Sequence, residues 1–468
     1  MSELHQPSPH KSFLADSEKK AFDLEHRATI AFNMGRYEAA FEKGKAQFAR
    51  LDVARKRAAI KKHKVLEHLE DHLKTFEHHF SRRGGKVIWA QDAEEARSAI
   101  LQICEQHHVK EVVKSKSMVT EEIGLTECLE KNGMECLETD LGEYIVQISG
   151  DKPYHIVTPA MHLSAADVAD IFHEKFGLPK QSTPEEITSF VRIKLREKFQ
   201  KAQAGITGAN FLVSNTGSVA LTENEGNGLL SMSCPPVHIV IAGIEKVIAS
   251  MDDLDLFWPL LASHGTGQYI TAFNTLVSGP RQENEKDGPK HMYVILLDNG
   301  RSRLLSTVPQ RRALSCIRCG ACLNACPVYK NIGGHAYGTV YSGPIGAVIS
   351  PHLSGQLKEY MHLSFASTLC GKCTEVCPVG IDLHHQLLQN RRLSVKLGFP
   401  SRFERMGMKA YKMAMGKRKW IDKPPVGLKN FVARYFFGRA WGSRRSVPKV
   451  KESFAKQYAK RLGGGVLK

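Results

Sequence analysis

Lys86 to Val113 reads KVIWAQDAEEARSAILQICEQHHVKEVV, and it decides the fold. KVIWA is a short apolar run of strand length, Asp92 stands where a helix N-cap belongs, and the stretch through His107 has helical spacing. Glu111 to Val113 is strand-like again. Strand, helix and strand in this order predict a βαβ unit and therefore a parallel sheet. Upstream, from about Ser17 to Arg83, the pattern is helical. Leu66, Leu69, Leu73, Phe76 and Phe80 form one apolar stripe, which Gly84 and Gly85 end.

Downstream the alternation continues. A helix ending near Gly133 is followed by expected strands at Met134 to Leu137 and Tyr144 to Ile148. A further helix starts at Ser164, with Asp167 placed to complete its cap, and Thr183-Pro184 opens the next. Strands are then expected at Asn210 to Ser214, Ser218 to Thr222, His238 to Ala242 and His291 to Leu297. Pro280 to Lys290 is a charged loop inside the same domain. The expected organisation is a helical segment over 1–83, an α/β domain over 84–300, a cysteine-bearing, mainly helical domain over 301–390 and a basic tail over 391–468.

With 42% hydrophobic and 24% charged residues, the chain of 468 residues has a globular composition with room for two or three domains. The first residues lack the apolar stretch of a secretory signal, and no apolar run approaches the 18 residues of a membrane span, so a cytoplasmic protein is expected. The net charge of +17 is uneven. Residues 391–468 hold 22 Lys and Arg against Glu404, Asp422 and Glu452, a net +19, which leaves about −2 for the rest. Such a tail meets an acidic partner, an anionic membrane surface or nucleic acid. Trp420, Tyr435, Phe436, Phe437 and Trp441 lie among its cations, but no nucleic-acid recognition motif accompanies them, so docking to a partner or to the inner membrane face is preferred. The alternative is a set of surface helices packed by Phe403, Met406 and Tyr411.

Seven of the 11 cysteines fall between Cys316 and Cys377. Cys104, Cys128, Cys136 and Cys234 sit in regular-looking segments and read as core residues. Cys316, Cys319, Cys322 and Cys326, with Pro327 after them, have the C-x2-C-x2-C-x3-C-P spacing of bacterial ferredoxins. Zinc would need two separated pairs of ligands. In two-cluster ferredoxins the fourth cysteine of each run serves the other run's cluster. Aligning Cys377-Pro378 on Cys326-Pro327 matches Cys373 to Cys322 and Cys370 to Cys319, and leaves Ser367 opposite Cys316. Cluster 1, a [4Fe-4S] centre, is then expected on Cys316, Cys319, Cys322 and Cys377. Cluster 2 has Cys326, Cys370 and Cys373 only. It is either [3Fe-4S], or [4Fe-4S] with a fourth ligand that is not cysteine: Ser367, His335, His362, His384, His385, a partner residue or water. His68 and His72, four apart, read as a solvated helix face and not as a metal pair.

These runs, together with KSKSMVTEEIGL (114–125), DLGEYIVQISGDKPYHIV (140–157) and GITGANFLVSNTGSVALTENEGNG (205–228), resemble the lactate-utilization iron–sulfur family, in its B-protein branch. The resemblance implies an open α/β sheet like those of sugar-phosphate isomerases and CoA transferases, called a LUD domain, over 84–300. It also implies an electron-transfer role beside two partner proteins in oxidising L-lactate to pyruvate. A second class is an autonomous redox enzyme turning over a small acid or acyl substrate in the α/β domain; a third, less favoured, is a redox-sensing nucleic-acid binder. Asn215, Thr216, Gly217, Ser218, Glu223, Asn224, Glu225 and Gly226 form polar turns that either line a small-molecule cleft or simply close a hairpin. No catalytic residue is assigned.

Overall fold

The computed structural model describes residues 8–418, 420, 424–441 and 446–461, which divide into two compact units, one running to Leu393 and one from Ser394. In the first unit the amino-terminal helical pattern resolves into four helices: α1 (Pro9–Phe22), α2 (Leu24–Lys45), α3 (Leu51–Glu67) and α4 (Leu69–Ser81). Asp23 makes the first break, its carboxylate accepting the His26 N–H at 3.0 Å as the cap of α2. The stripe Leu66, Leu69, Leu73, Phe76 and Phe80 is buried, and Gly84 leaves α4 with φ +86°.

Ten strands follow: β1 (Lys86–Ala90), β2 (Glu111–Lys114), β3 (Glu135–Glu138), β4 (Ala204–Thr207), β5 (Phe211–Val213), β6 (Ser218–Glu223), β7 (Val237–Gly243), β8 (Val247–Ile248), β9 (Phe273–Val277) and β10 (His291–Leu297). Six form a wholly parallel sheet in the order β1-β10-β7-β4-β2-β3. A smaller mixed sheet runs β8-β5-β6-β9. The parallel sheet matches the expectation from 86–113, but β1 and β2 are not neighbours. β1 takes the edge, where Trp89 stays 46% exposed, while the continuously apolar β7 and β10 take the middle, as strands covered on both faces must.

One expected strand is a helix. Tyr144 to Ile148 lies within Leu141–Ser149, started by the Asp140 carboxylate on the Glu143 N–H (3.0 Å) and ended by Gly150 at φ +73°. Leu141, Tyr144, Ile145 and Ile148 recur at helical spacing and pack against Phe172 and Ile187, so tertiary burial overrides the strand propensity of this apolar run. The caps at Ser164 with Asp167 and Thr183 with Glu186 are both complete capping boxes. The strands β4, β8 and β9 have no counterpart in the sequence reading.

In β4, Gly205 is buried against the following helix, and a Cβ there would lie 1.6 Å from the Ser231 carbonyl oxygen. Gly205→Ala should therefore cost about 2 kcal/mol through overpacking of a rigid backbone contact, read as a lowered urea midpoint at unchanged slope.

Cys104 and Cys136 are buried as expected, and Cys128 is half-buried. Cys234 is exposed and is not a core residue, because it follows directly on the helix Asn227–Ser233 at the surface turn before β7. In the second unit the helices are Arg402–Gly416, Val426–Trp441 and Phe454–Arg461. Phe403, Met406 and Tyr411 do not pack the first of these; they are 78%, 68% and 54% exposed. Trp420 and Tyr435 are exposed as well, whereas the side chains of Phe436, Phe437 and Trp441 lie outside the described residues, as does Asp422. Among the described residues no helix is long and apolar enough to cross a membrane.

Candidate metal centre

The two cysteine runs fold as a repeat, each residue of the first matched by one 51 positions on, as Cys326 is by Cys377. Each loop turns twice through left-handed backbone, at Arg318 (φ +61°) and Gly320 (φ +78°) in one, and at Leu369 (φ +55°) and Gly371 (φ +84°) in the other. Each turn then opens a four-residue helix, Ala321–Asn324 or Lys372–Glu375. Non-glycine residues rarely adopt this conformation, so two at matched positions mark a loop held to one shape. Ser367 stands where the repeat has Cys316. The Arg318 N–H donates to Cys316 Sγ at 3.4 Å, and the Leu369 N–H donates to Ser367 Oγ at 3.1 Å.

The loops create two cavities. Cys316, Cys319, Cys322 and Cys377 line the first, among Ile156, Ile317, Ile345, Val379, Ile381 and Leu383. Cys326, Cys370 and Cys373 line the second, with Ser367 and His384. Cys377 of the second run thus lines the cavity of the first run's cysteines, and Cys326 of the first run lines the other. Of the other candidate fourth ligands, His335 bonds the Lys152 carbonyl (2.6 Å), His362 the Glu359 carbonyl (2.6 Å), and exposed His385 pairs with Asp382; none of the three lines either cavity. Of the candidate side chains, Ser367 and His384 line the second cavity, and His384 Nδ1 lies 2.8 Å from the Thr374 hydroxyl. Among the described residues His68 and His72 belong to no group of metal-ligating side chains: His68 sits at the α3–α4 junction, 68% exposed.

The donor set fits iron. The first cavity presents four sulfurs among aliphatic side chains, and soft thiolates in a dry pocket suit iron–sulfur clusters. Burial pushes the thiols of Cys373 and Cys377 up to about 11 and those of Cys319 and Cys322 higher still. Sulfurs this deep need a cation to ionise. The Ile381 N–H aimed at Cys377 (3.3 Å) favours the thiolate form of that residue.

Beneath the first loop lies a buried ionic network that composition conceals. Arg301 is fully buried and reaches Glu122 (2.9 and 2.8 Å) and Glu245 (2.5 Å). Glu122 also accepts from Asn299 (2.6 Å) and the Tyr341 hydroxyl (2.5 Å). Arg318 donates to Glu245 at 3.3 Å and lies 4.3 Å above the Tyr341 ring. Lys62 of α3 donates to the backbone carbonyls of Glu245 and Val247. The amino-terminal helices, the α/β sheet and the cysteine loop are thereby tied together around one apolar core.

A cleft of about 430 Å³ adjoins the first cavity, sharing Ile156, Arg318 and Cys319 with it. Glu223, Asn224 and Glu225 line this cleft. Asn215 to Ser218 do not, because their turn packs on α4: Gly217 lies against His79 and Phe80, and Ser214 bonds the His72 carbonyl. Gly226 packs on Phe273 instead. Lys116, Asp140, Lys246, Arg318 and Tyr341 are among its other polar lining residues. The sequence reading missed them, although Arg318 stands inside a cysteine run and Lys246, with Glu245, interrupts an apolar stretch.

A parallel α/β sheet followed by two interlocked cysteine loops defines an iron–sulfur protein with a LUD domain. Family models agree, a LUD domain matching residues 73–297 and a 4Fe-4S dicluster domain matching 312–381. Lactate utilization protein B of Bacillus cytotoxicus is 44% identical over 418 residues, covering 87% of this chain and 88% of that protein. Its namesake in Bacillus thuringiensis is 47% identical over 355 residues, covering 76% and 74%. The chain belongs to the lactate utilization protein B family. A DUF162 family protein from Deinococcus radiodurans, of known crystal structure, covers 49% of this chain and 98% of its own at 16% identity, with a TM-score of 0.29.

Proposed function

We propose that this protein is the iron–sulfur electron-transfer subunit of an assembly that oxidises L-lactate to pyruvate. In this reading Cys316, Cys319, Cys322 and Cys377 hold a [4Fe-4S] cluster 1. Cys326, Cys370 and Cys373 hold cluster 2, either [3Fe-4S] or [4Fe-4S] with a fourth ligand other than cysteine, for which Ser367 is best placed. The observation that carries the reading is the sorting of the seven cysteines into two sets, each around its own cavity, with six of them in or against one apolar core and Cys370 exposed. Bound clusters supply one-electron chemistry. The chain's part is to hold them dry and rigid. Ile156, Ile345 and Ile381 exclude water, the Ile381 N–H stabilises the Cys377 thiolate, and Lys62, Lys246 and Arg318 set positive charge beside the first set.

Two further lactate-utilization proteins are the partners in this reading. The protein works in the cytoplasm, and the basic tail, whose helix Arg402–Gly416 exposes Phe403, Met406 and Met413, is its docking surface for an acidic partner or the inner membrane face. Turnover of substrate by this chain alone is the second reading, favoured by the cleft beside Cys319. Anaerobic addition of L-lactate separates the two. Bleaching of the visible cluster absorption only when the partners are present supports the subunit reading; bleaching in the isolated chain supports the enzyme.

Because Ser367 repeats the position of Cys316, Ser367→Cys should complete an all-cysteine second site. The expected result is a second [4Fe-4S] signal in electron paramagnetic resonance (EPR) after dithionite, with no [3Fe-4S] signal in the oxidised protein. A [3Fe-4S] signal that persists in the variant would remove Ser367 from the site.

A further inference from the structure

We infer that the cleft beside the first cysteine loop is a binding site for a small organic carboxylate, seated on Arg318 and Lys246 against Cys319. The inference rests on the assignment of cluster 1 only for the position of the ligand; the cleft and its charges stand without it. Two cations reach this cleft with capacity to spare. Lys246 is 8% exposed and makes no hydrogen bond or ion pair among the described residues, and burial beside Arg318 lowers its pKa to about 8. Arg318 has a side chain 10% exposed, held by Glu245 through Nη2 and by the Tyr341 ring, while its buried Nη1 has no partner. A buried guanidinium nitrogen left unbonded is costly unless a ligand satisfies it.

The charges divide between two groups. Lys62, Lys246, Arg301 and Arg318 face Glu122, Glu245 and the first cysteine set, whereas Asp140, Glu223 and Glu225 line the cleft grouped with one another and with Lys116. Arg318 is braced at one face and one edge, which leaves a fixed donor for a carboxylate oxygen. The class is an organic acid and not an inorganic oxyanion, because Met118, Val157, Leu221 and Leu261 offer the cleft an apolar wall for a carbon body. Asn210, Thr222 and Asn227 supply partners for hydroxyl or oxo groups on that body. The volume of about 430 Å³ accommodates a short-chain acid with ordered water.

The test is calorimetric titration of the anaerobic, cluster-loaded full chain with L-lactate, pyruvate and inorganic phosphate. Iron content and the EPR spectrum are recorded for every sample. The expected result is saturable binding of one or both acids, weakened at least tenfold by Lys246→Met and by Arg318→Lys at unchanged iron content, together with a perturbed cluster 1 spectrum on binding. Lys198→Met, which removes a cation paired with Glu111 and Glu135 away from the cleft, should bind within twofold of wild type. The inference is overturned by absence of binding to the loaded chain, by phosphate binding as well as the acids, or by unweakened binding in both variants that retain iron. A shift of the cluster 1 potential in Lys246→Met with no change in affinity would likewise overturn it, since the cations would then serve the cysteine set alone. A chain that carries no cluster yet still binds the acid separates failure of the cluster assignment from failure of this one.

Discussion

Cys377→Ala should abolish the EPR signal of cluster 1 and leave that of cluster 2, while Cys373→Ala should do the reverse, although the two residues stand four apart on the same loop. The expectation follows from where their sulfurs lie. Cys377 closes the cavity lined by Cys316, Cys319 and Cys322, whereas Cys373 joins Cys326 and Cys370 around the other. Loss of cluster 1 should remove about four iron atoms per chain. If each run instead held its own cluster, both substitutions would damage the same signal. Iron and sulfide analysis beside anaerobic EPR distinguishes the outcomes, and matched loss in the two variants would contradict the crossed arrangement.

Arg301→Met should destabilise the folded chain by about 3–5 kcal/mol, the range for removing one partner from a buried ion pair. The side chain volume is nearly kept, so the loss is chiefly electrostatic. Glu122 would retain Asn299 and Tyr341, and Glu245 would retain Arg318, but neither set replaces a guanidinium bonded to both carboxylates. Burial alone would raise the Glu245 carboxyl, yet Arg301, then Arg318 and Lys246, hold it at about 2. A carboxyl lower in the folded state than its ordinary value of 4.5 stabilises fully above that value, and the contribution is lost as pH falls toward 2. In Arg301→Met the balance tips toward burial, and ionised carboxylates then oppose folding. The gap between variant and wild type should therefore narrow as pH falls from 7 toward 4. Urea denaturation across that range checks this, and a gap independent of pH would show that the loss is one of packing.

How far the sequence could be read follows from range. Two candidate cysteine sets were legible because ferredoxin spacing packs four cysteines and a proline into a dozen residues, and because the exchange of fourth cysteines is a rule of that motif. The parallel sheet was legible from Lys86 to Val113, since local periodicity carries it. Strand order was not: β1 pairs with β10, two hundred residues on, and no local signal encodes that partner. Tyr144 to Ile148 failed as a strand because four apolar residues and one glutamine suit either period, and the Asp140 cap, the Gly150 terminus and packing on Phe172 and Ile187 decide for the helix. The cleft was half legible. Glu223, Asn224 and Glu225 reach it from a polar turn, whereas Lys246 and Arg318 come from a strand connection and a cysteine loop that meet only in the folded chain. The Arg301 network was hidden for the same reason, as its arginine and two glutamates look like surface charges until the fold buries them.

The measurement that bears most directly on the function is anaerobic EPR of the protein purified together with its partners, before and after L-lactate, with dithionite as the reference for full reduction. Reduction of the clusters by L-lactate is the predicted result. Clusters that dithionite reduces in an intact assembly but L-lactate leaves oxidised would contradict an electron-transfer role in lactate oxidation.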